Sequence, residues 1–467
     1  MKVAIVGGGI SGLSTAFEIQ KARAASPHLE YVLLEQSPRL GGSIFSERID
    51  ECLVEGGPDS FMTEKTSATK LCADLGLADH LVGSNDASRK TYILLKNRLI
   101  ALPDGLMFMV PTKLMPTALT PLFSWKTKIR MGLELLHPPR PMQRDESVAE
   151  LIQRHFGAEV VDRLADPLLS GIYGGDAAVL SARTVLPKLV EMEEKYGSLS
   201  RGMLAAYSSG SQPHPQTNGK PRRSVFSSLR GGMQEMVDGI EARLDPASIR
   251  RSTVVSRIDR VAESWQLVVD GEPQLFDAVV VATPAWAAGS LLAGLDPQLG
   301  IDLGDIPYSS SITITIGYGE AGLASLPEGF GFLVPASEKR SMLACTFVHR
   351  KFPGRAPEGI GMLRCFLGGA RNSALLNDSD QQLESRVRAE LKDILGITAE
   401  PRFVRVHRWR RAMAQYAVGH QERMTRIIQA VARQPRLALA GNAYLGIGVP
   451  DCIRTGQEAA ATILRSF

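Results

Sequence analysis

Residues 2–35 restrict the fold more than any other stretch of the chain. Lys2 to Val6 reads KVAIV, a short apolar run of strand type, and passes directly into Gly7-Gly8-Gly9-Ile10-Ser11-Gly12. A helix-type segment follows to about residue 25, then a second apolar run over 31–34, ending at Glu35. Strand, glycine turn, helix, strand and acid is the layout of a doubly wound α/β fold that takes a dinucleotide. In that layout Gly7 permits the tight turn, Gly9 lets the backbone approach a pyrophosphate, and Gly12 lets helix and strand pack closely. Free N–H groups at the helix start face the phosphates. Glu35 follows Gly12 by 23 residues, near the roughly 20 at which a carboxylate accepts ribose hydroxyls. The alternative is an ordinary strand–helix unit with a glycine-rich loop.

The next residues narrow the dinucleotide. Glu35-Gln36-Ser37-Pro38-Arg39-Leu40-Gly41-Gly42-Ser43 resembles the acid-x-x-x-Arg-x-Gly-Gly pattern of the flavin-containing amine oxidase superfamily. Arg39 supplies a cation, and Gly41 and Gly42 a close backbone approach, suited to a pyrophosphate, with Ser43 counted among the cofactor-binding residues. Glu55-Gly56-Gly57-Pro58-Asp59-Ser60-Phe61 follows, where a glycine pair lets main chain lie flat against a planar ring. FAD is the expected cofactor, with NAD as the alternative.

At 467 residues the chain is long enough for two or three domains. Its 53 basic and 49 acidic residues leave a net charge of +4, too balanced for a nucleic-acid partner but compatible with anionic substrates or lipid surfaces. Cys52, Cys72, Cys345, Cys365 and Cys452 are dispersed without CxxC spacing. That argues against a disulfide framework or cysteine metal site and for the cytoplasm. The first strand begins at residue 2, which argues against a cleaved leader. No run of 18 apolar residues occurs to span a membrane.

Beyond residue 60 a helix is expected over 66–75, then a hairpin of strands 91–95 and 98–102 turning at Lys96-Asn97. Arg98 there is either a solvated turn residue or a clamp for a substrate carboxylate. Residues 103–145 carry seven prolines and a large apolar payload, including Met107, Phe108, Leu114, Leu119 and Trp125, beside Lys126, Lys128 and Arg130. This is either a helical lobe packed on a cavity or a surface that dips into a bilayer leaflet.

A capping box is expected at Asp145 or Ser147 with Glu150. A further helix over 158–164 is expected to stop at Asp166-Pro167. In Pro167-Leu168-Leu169-Ser170-Gly171-Ile172-Tyr173-Gly174-Gly175-Asp176 three glycines expose main chain to a ligand or to a packed helix. Residues 208–224 read as a flexible linker. A helix then runs through Leu244, followed by four strands, the last being 278–281, which completes the cofactor domain late in the chain. Strands over 309–318, 331–334, 341–347 and 361–368 suggest an antiparallel floor for a second domain. The last block gives strand, Gly441, a turn at Gly446-Ile447-Gly448, and a helix from Val449 that again offers backbone donors.

No protein-derived catalytic constellation stands out. The eight histidines lack metal-ligand spacing, so no metal is expected. No GxSxG elbow occurs. Trp409 reads as a wall beside the cofactor or, less simply, as a chemical group.

PLLSGIYGGD, HRWRRAMAQYAVGH and GNAYLGIGVPDCI narrow the resemblance. With GGGISGLS and GPDSF they make the chain similar to the oxygen-dependent protoporphyrinogen and coproporphyrinogen III oxidases of haem synthesis, over essentially its whole length. The resemblance implies a Rossmann-type FAD domain (1–90, 225–305 and 405–467), a mixed-sheet substrate domain (91–102 and 306–404) and a helical, membrane-associated lobe (103–207). It implies FAD-dependent conversion of a porphyrinogen to a porphyrin, with three hydride transfers and O2 as acceptor. FAD contacts would fall on Gly7, Gly8, Gly9, Ile10, Ser11, Gly12, Glu35, Gln36, Gly42, Gly57, Pro58, Asp59, Ser60, Val255, Trp409, Ile447, Gly448 and Val449. The tetrapyrrole would lie along Ser170, Gly171, Ile172, Gly174 and Gly175. Peripheral membrane contact and a ferrochelatase-type partner belong to the same expectation. Ala414 stands where the family often has Pro, and Arg98 and Lys90 are both candidates for its carboxylate-holding arginine. The alternatives are an amine oxidase, a carotenoid desaturase, or a flavoprotein without turnover.

Overall fold

The computed structural model describes residues 1–107, 109–140, 144–208 and 224–466. The expected linker, apart from Ser208 and Ser224, and Phe108 of the apolar payload lie outside the described residues, as do the side chains of Met107, Leu114 and Ile172.

Lys2–Val6 is the middle strand of a five-stranded parallel sheet, in the order Ile249–Arg250, Glu30–Leu34, Lys2–Val6, Ala278–Val281, Leu437–Leu439. Both faces are covered, so the strands read as unbroken apolar runs. Val3, Ile5, Leu33 and Val280 pack on one side against the helices Ile10–Arg23 and Val449–Arg465. Ala4, Val6, Leu34 and Val281 pack on the other, with Trp265 and Leu267 of an antiparallel three-stranded layer. The two ends of the chain meet here. Thr15 Oγ1 donates to the Gly456 carbonyl at 2.9 Å, and a Cβ on Gly456 would overlap the Ser11 carbonyl oxygen.

The second sheet has seven strands, ordered Phe403–Ala414, Tyr308–Gly319, Ile360–Gly368, Met342–Phe347, Gly331–Leu333, Thr91–Leu95, Arg98–Ala101. All pairs are antiparallel except Gly331–Leu333 with Thr91–Leu95. Helix Asp380–Leu395 covers one face with Leu383, Val387, Leu391 and Leu395, spaced at four residues, against Ile312, Ile314 and Ile316. Strand alternation turns Thr313, Phe366, Leu333 and Ile93 to the opposite face. The strand Phe403–Ala414 lies wholly in this sheet, so the division expected between 404 and 405 falls inside it.

The helical lobe packs on that opposite face. Ser147 caps its helix in a reciprocal box with Glu150. The break expected at Asp166-Pro167 does not occur. A π turn over Val161–Ala165 leads without interruption into helix Asp166–Tyr173, with Pro167 in its first turn. The widened turn absorbs the missing N–H and the ring of Pro167. The glycines of PLLSGIYGGD thus lie within and just past a helix, which ends on Gly174 at φ +57°.

Candidate functional site

The site starts at the C-terminal edge of the parallel sheet, where ligands of open α/β folds sit. Gly7 has φ +108°, and a Cβ on Gly12 would overlap the Gly7 carbonyl oxygen. Turn and helix are therefore pressed together. Gly9 differs, because a Cβ built there meets nothing within 4 Å. It is the N-cap of helix Ile10–Arg23, with no side chain capping it. The first-turn donors of Ile10, Ser11 and Gly12 and the space beside Gly9 together form a cradle of anion-binding type.

Two loops, 35–45 and 251–254, close around it. The Glu35 carboxylate accepts from Gly8 N at 2.6 Å and Ser37 N at 2.7 Å. Gly41 N donates to Gly8 O at 2.8 Å, bringing Gly42 beside Gly9. Arg39 donates to the carbonyls of Ile44, at 2.9 Å, and of Gly42, and lies over the Phe45 ring. Its guanidinium thus shapes the Gly41-Gly42 loop from within, in addition to placing charge there. Gln36, Gly42 and Ser43 are exposed. Val255 stands beside the strand end of Glu35, whose carbonyl accepts from Thr253 N at 2.9 Å.

The Gly56–Ser60 segment runs between the two sheets. The Gly56 carbonyl accepts from Trp409 Nε1 at 2.8 Å and Thr313 Oγ1 at 2.9 Å, and the Gly57 carbonyl from Arg364. Asp59 pairs with Lys351 at 3.0 Å. Burial would raise its carboxyl pKa, but the cations Lys351 and Arg364 outweigh burial and hold it well below the carboxylate range. Opposite, Tyr416 Oη accepts from Gly446 N and donates to the Asn442 carbonyl, both at 2.8 Å. This fixes the turn that carries Gly441, Ile447, Gly448 and Val449. Cys452, just past it, is buried, and burial pushes its thiol up to about 12, as for a packing residue.

Helix Asp166–Tyr173 roofs the sheet face. Gly171 lies over Leu333, Gly174 over Ser309 and Met413, and Gly175 against Gln415. Ser170 Oγ donates to the Asp166 carbonyl at 2.7 Å. Met413 is four residues along the strand from Trp409, so roof and wall are joined by one strand.

Arg98 stands apart from this cluster. It is exposed, on the edge strand opposite to that of Trp409. Six strand spacings of about 4.8 Å separate the two edges by roughly 29 Å of sheet. Strand order is a long-range property that the hairpin sequence does not carry. Lys90 is also exposed and pairs with Glu328 at 3.1 Å. Sequence reasoning missed Arg364, Thr313, Leu333 and Gln415. Of these only Gln415 lay inside a motif already singled out.

The donors and the space beside Gly9 fit the pyrophosphate of a dinucleotide, and the Gly56–Ser60 strap fits a planar ring. Fold and cradle together define a dinucleotide-dependent oxidoreductase of the two-domain α/β type. The family model described as flavin containing amine oxidoreductase matches residues 10–464. The chain belongs to that family, and its cofactor is FAD. It is 35% identical to the coproporphyrinogen III oxidase of Bacillus subtilis (strain 168), over 99% of this chain and 97% of that one. It is 31% identical to the coproporphyrinogen III oxidase of Staphylococcus aureus (strain NCTC 8325 / PS 47), over 99% and 98%. A crystal structure of a candidate protoporphyrinogen oxidase from Exiguobacterium sp. 255-15 superposes with TM-score 0.86 at 32% identity, covering 99% of this chain and 98% of that one.

Proposed function

We propose that this chain oxidises a porphyrinogen to a porphyrin in haem synthesis, with coproporphyrinogen III as the preferred substrate and O2 as final acceptor. The carrying observation is full-length similarity to two coproporphyrinogen III oxidases, together with a roofed apolar sheet face beside the flavin strap. Bound FAD supplies the hydride acceptor and the route for electrons to O2. The cradle at Gly7–Gly12, the Glu35 carboxylate and the Gly41-Gly42 loop would hold its nucleotide half. Gly57–Ser60, Trp409 and Ile447–Val449 would hold its ring. The macrocycle would lie along the Ser170–Gly175 end of helix Asp166–Tyr173 and over Phe366, beside the place where the helix rests directly on Leu333. Six electrons leave the substrate in three transfers, so the protein's task is to orient successive carbons and exclude water.

The lobe supports peripheral membrane contact. Leu119, Trp125, Ile129, Leu133 and Leu136 are 57–76% exposed, and residues 125, 129 and 133 share one face of helix Trp125–Leu133. Lys126, Lys128 and Arg130 flank this ridge, a pairing suited to an anionic lipid surface. Among the described residues no helix is long and apolar enough to cross a membrane. Arg163 donates to the Leu122 carbonyl at 2.7 Å, linking the ridge to the segment that leads into the roof helix. Co-sedimentation with anionic vesicles, lost in Trp125→Ser/Ile129→Ser, tests this. Loss of binding to a ferrochelatase-type partner without change in vesicle binding would assign the ridge to protein docking instead.

Purified protein given coproporphyrinogen III in air is expected to release porphyrin fluorescence and peroxide together. Turnover of protoporphyrinogen IX alone would reverse the substrate preference, and turnover of neither would discard the reading.

A further inference from the structure

Arg371 occupies an unusual position at the roof. It lies just beyond strand Ile360–Gly368, and its guanidinium reaches two carboxylates. It donates to both oxygens of Asp166, at 2.7 and 2.6 Å, and to both of Asp176, at 3.1 and 3.0 Å. Asp166 opens helix Asp166–Tyr173, and its side chain is 6% exposed. Asp176 lies just after the Gly174-Gly175 turn that ends it. That turn folds back, so that Ala177 N approaches Asp166 Oδ1 at 3.4 Å. One cation therefore joins the first residue of the roof helix to the loop that returns from its last turn.

The backbone beside Arg371 reinforces the junction. Ala370 N donates to the Gly174 carbonyl at 3.0 Å, and Gly369 N to the Ser310 carbonyl at 2.8 Å. On the far side Gln415 Nε2 donates to the Tyr173 carbonyl at 2.8 Å. The roof is thus tied to the sheet floor at its returning end, and Arg371 also ties the first residue of the helix, one turn after Ser337 Oγ donates to Asp162 at 2.7 Å. Without its charge, two acids one guanidinium apart would repel each other, one of them buried.

We propose that Arg371 is a positioning residue that sets the height of the roof helix over the sheet, and through it the binding of the macrocycle. This rests on the porphyrinogen reading for its substrate, but the clamp itself does not. Arg371→Ala in the FAD-loaded enzyme is expected to raise KM for coproporphyrinogen III about tenfold while kcat falls less than threefold, the pattern of lost ground-state positioning. Arg371→Lys, which can satisfy only one of the two acids at a time, should recover part of this. The triple variant Arg371→Ala/Asp166→Asn/Asp176→Asn removes the repulsion and should bring KM back toward wild type. Amide exchange over 166–177, measured without substrate, should rise in Arg371→Ala and fall back in the triple variant.

Unchanged exchange in Arg371→Ala with FAD content intact would overturn the proposal, as would a loss confined to kcat. A wild-type protein that turns over no porphyrinogen would discard the substrate reading. The exchange result would still decide whether the clamp exists.

Discussion

The indole N–H of Trp409 lies 2.8 Å from the carbonyl oxygen of Gly56. Trp409 belongs to an edge strand of the seven-stranded sheet, and Gly56 to the strap that leaves the cofactor domain. This bond fixes one domain's sheet against the other's loop at the place assigned to the flavin ring. Trp409→Phe keeps the ring but leaves the Gly56 carbonyl with one donor fewer. A loss of about 1 to 1.5 kcal/mol in FAD binding is expected, read as a roughly five- to thirteenfold rise in the Kd for FAD by flavin fluorescence. An unchanged Kd would show that the bond does not hold the strap.

Gly9 and Gly12 separate cofactor binding from folding. A Cβ at Gly12 collides with the Gly7 carbonyl, whereas one at Gly9 meets no protein atom within 4 Å. Gly9→Val should therefore fold with a normal far-UV spectrum and purify colourless. Gly12→Val should fail to fold into soluble protein. Full flavin occupancy in purified Gly9→Val would contradict the phosphate assignment.

His155 gives the helical lobe a pH dependence. It is fully buried, with Nδ1 2.9 Å from Glu134 and Nε2 3.1 Å from Glu193. Arg154 adds ion pairs to Glu193 and Glu146, and the His137 ring lies beside it. Burial alone would lower the imidazole pKa, but the two carboxylates reverse this and raise it above the ordinary 6.5. A raised folded-state value means that the stabilisation is complete below pH 6.5 and is lost as pH climbs through the raised value. The Glu193 carboxyl moves oppositely. Burial opposes its ionisation, yet His155 and Arg154 hold it at about 2. Its contribution is present above its ordinary 4.5 and is lost as pH falls toward 2. His155→Gln should cost about 3 to 5 kcal/mol, with the gap in melting temperature widest near pH 6 and narrowing in alkali. A gap that grows with pH would contradict the paired imidazolium.

Gly456 carries the contact between the two ends of the chain. Gly456→Leu would drive the C-terminal helix off Ser11 and Ser14. Overpacking of this kind costs about 1 to 3 kcal/mol, visible as a lower melting temperature in both apo and FAD-loaded protein. Destabilisation of the loaded form alone would place the effect in the cofactor site instead.

What the sequence made legible was local. Glycines at 7, 9 and 12, apolar strands buried on both faces, and the helix starts at Ile10 and Val449 each follow from short-range spacing. The roof helix was hidden because Pro167 signals a stop, and only the π turn before it lets the helix continue. The Arg371 clamp was hidden because its partners lie 205 and 195 positions away. Arg98 reads on the hairpin as either a solvated turn residue or a carboxylate clamp, and only strand order, which puts it at the sheet edge opposite Trp409, bears on the choice. The last two depend on which elements become neighbours, which residue pattern alone does not encode.

The most direct test is to mix the purified yellow protein anaerobically with coproporphyrinogen III, protoporphyrinogen IX or benzylamine and follow the flavin absorbance. Rapid bleaching by coproporphyrinogen III, slower bleaching by protoporphyrinogen IX and none by benzylamine is the expected result. Bleaching by benzylamine with neither porphyrinogen reacting would contradict the account at its centre.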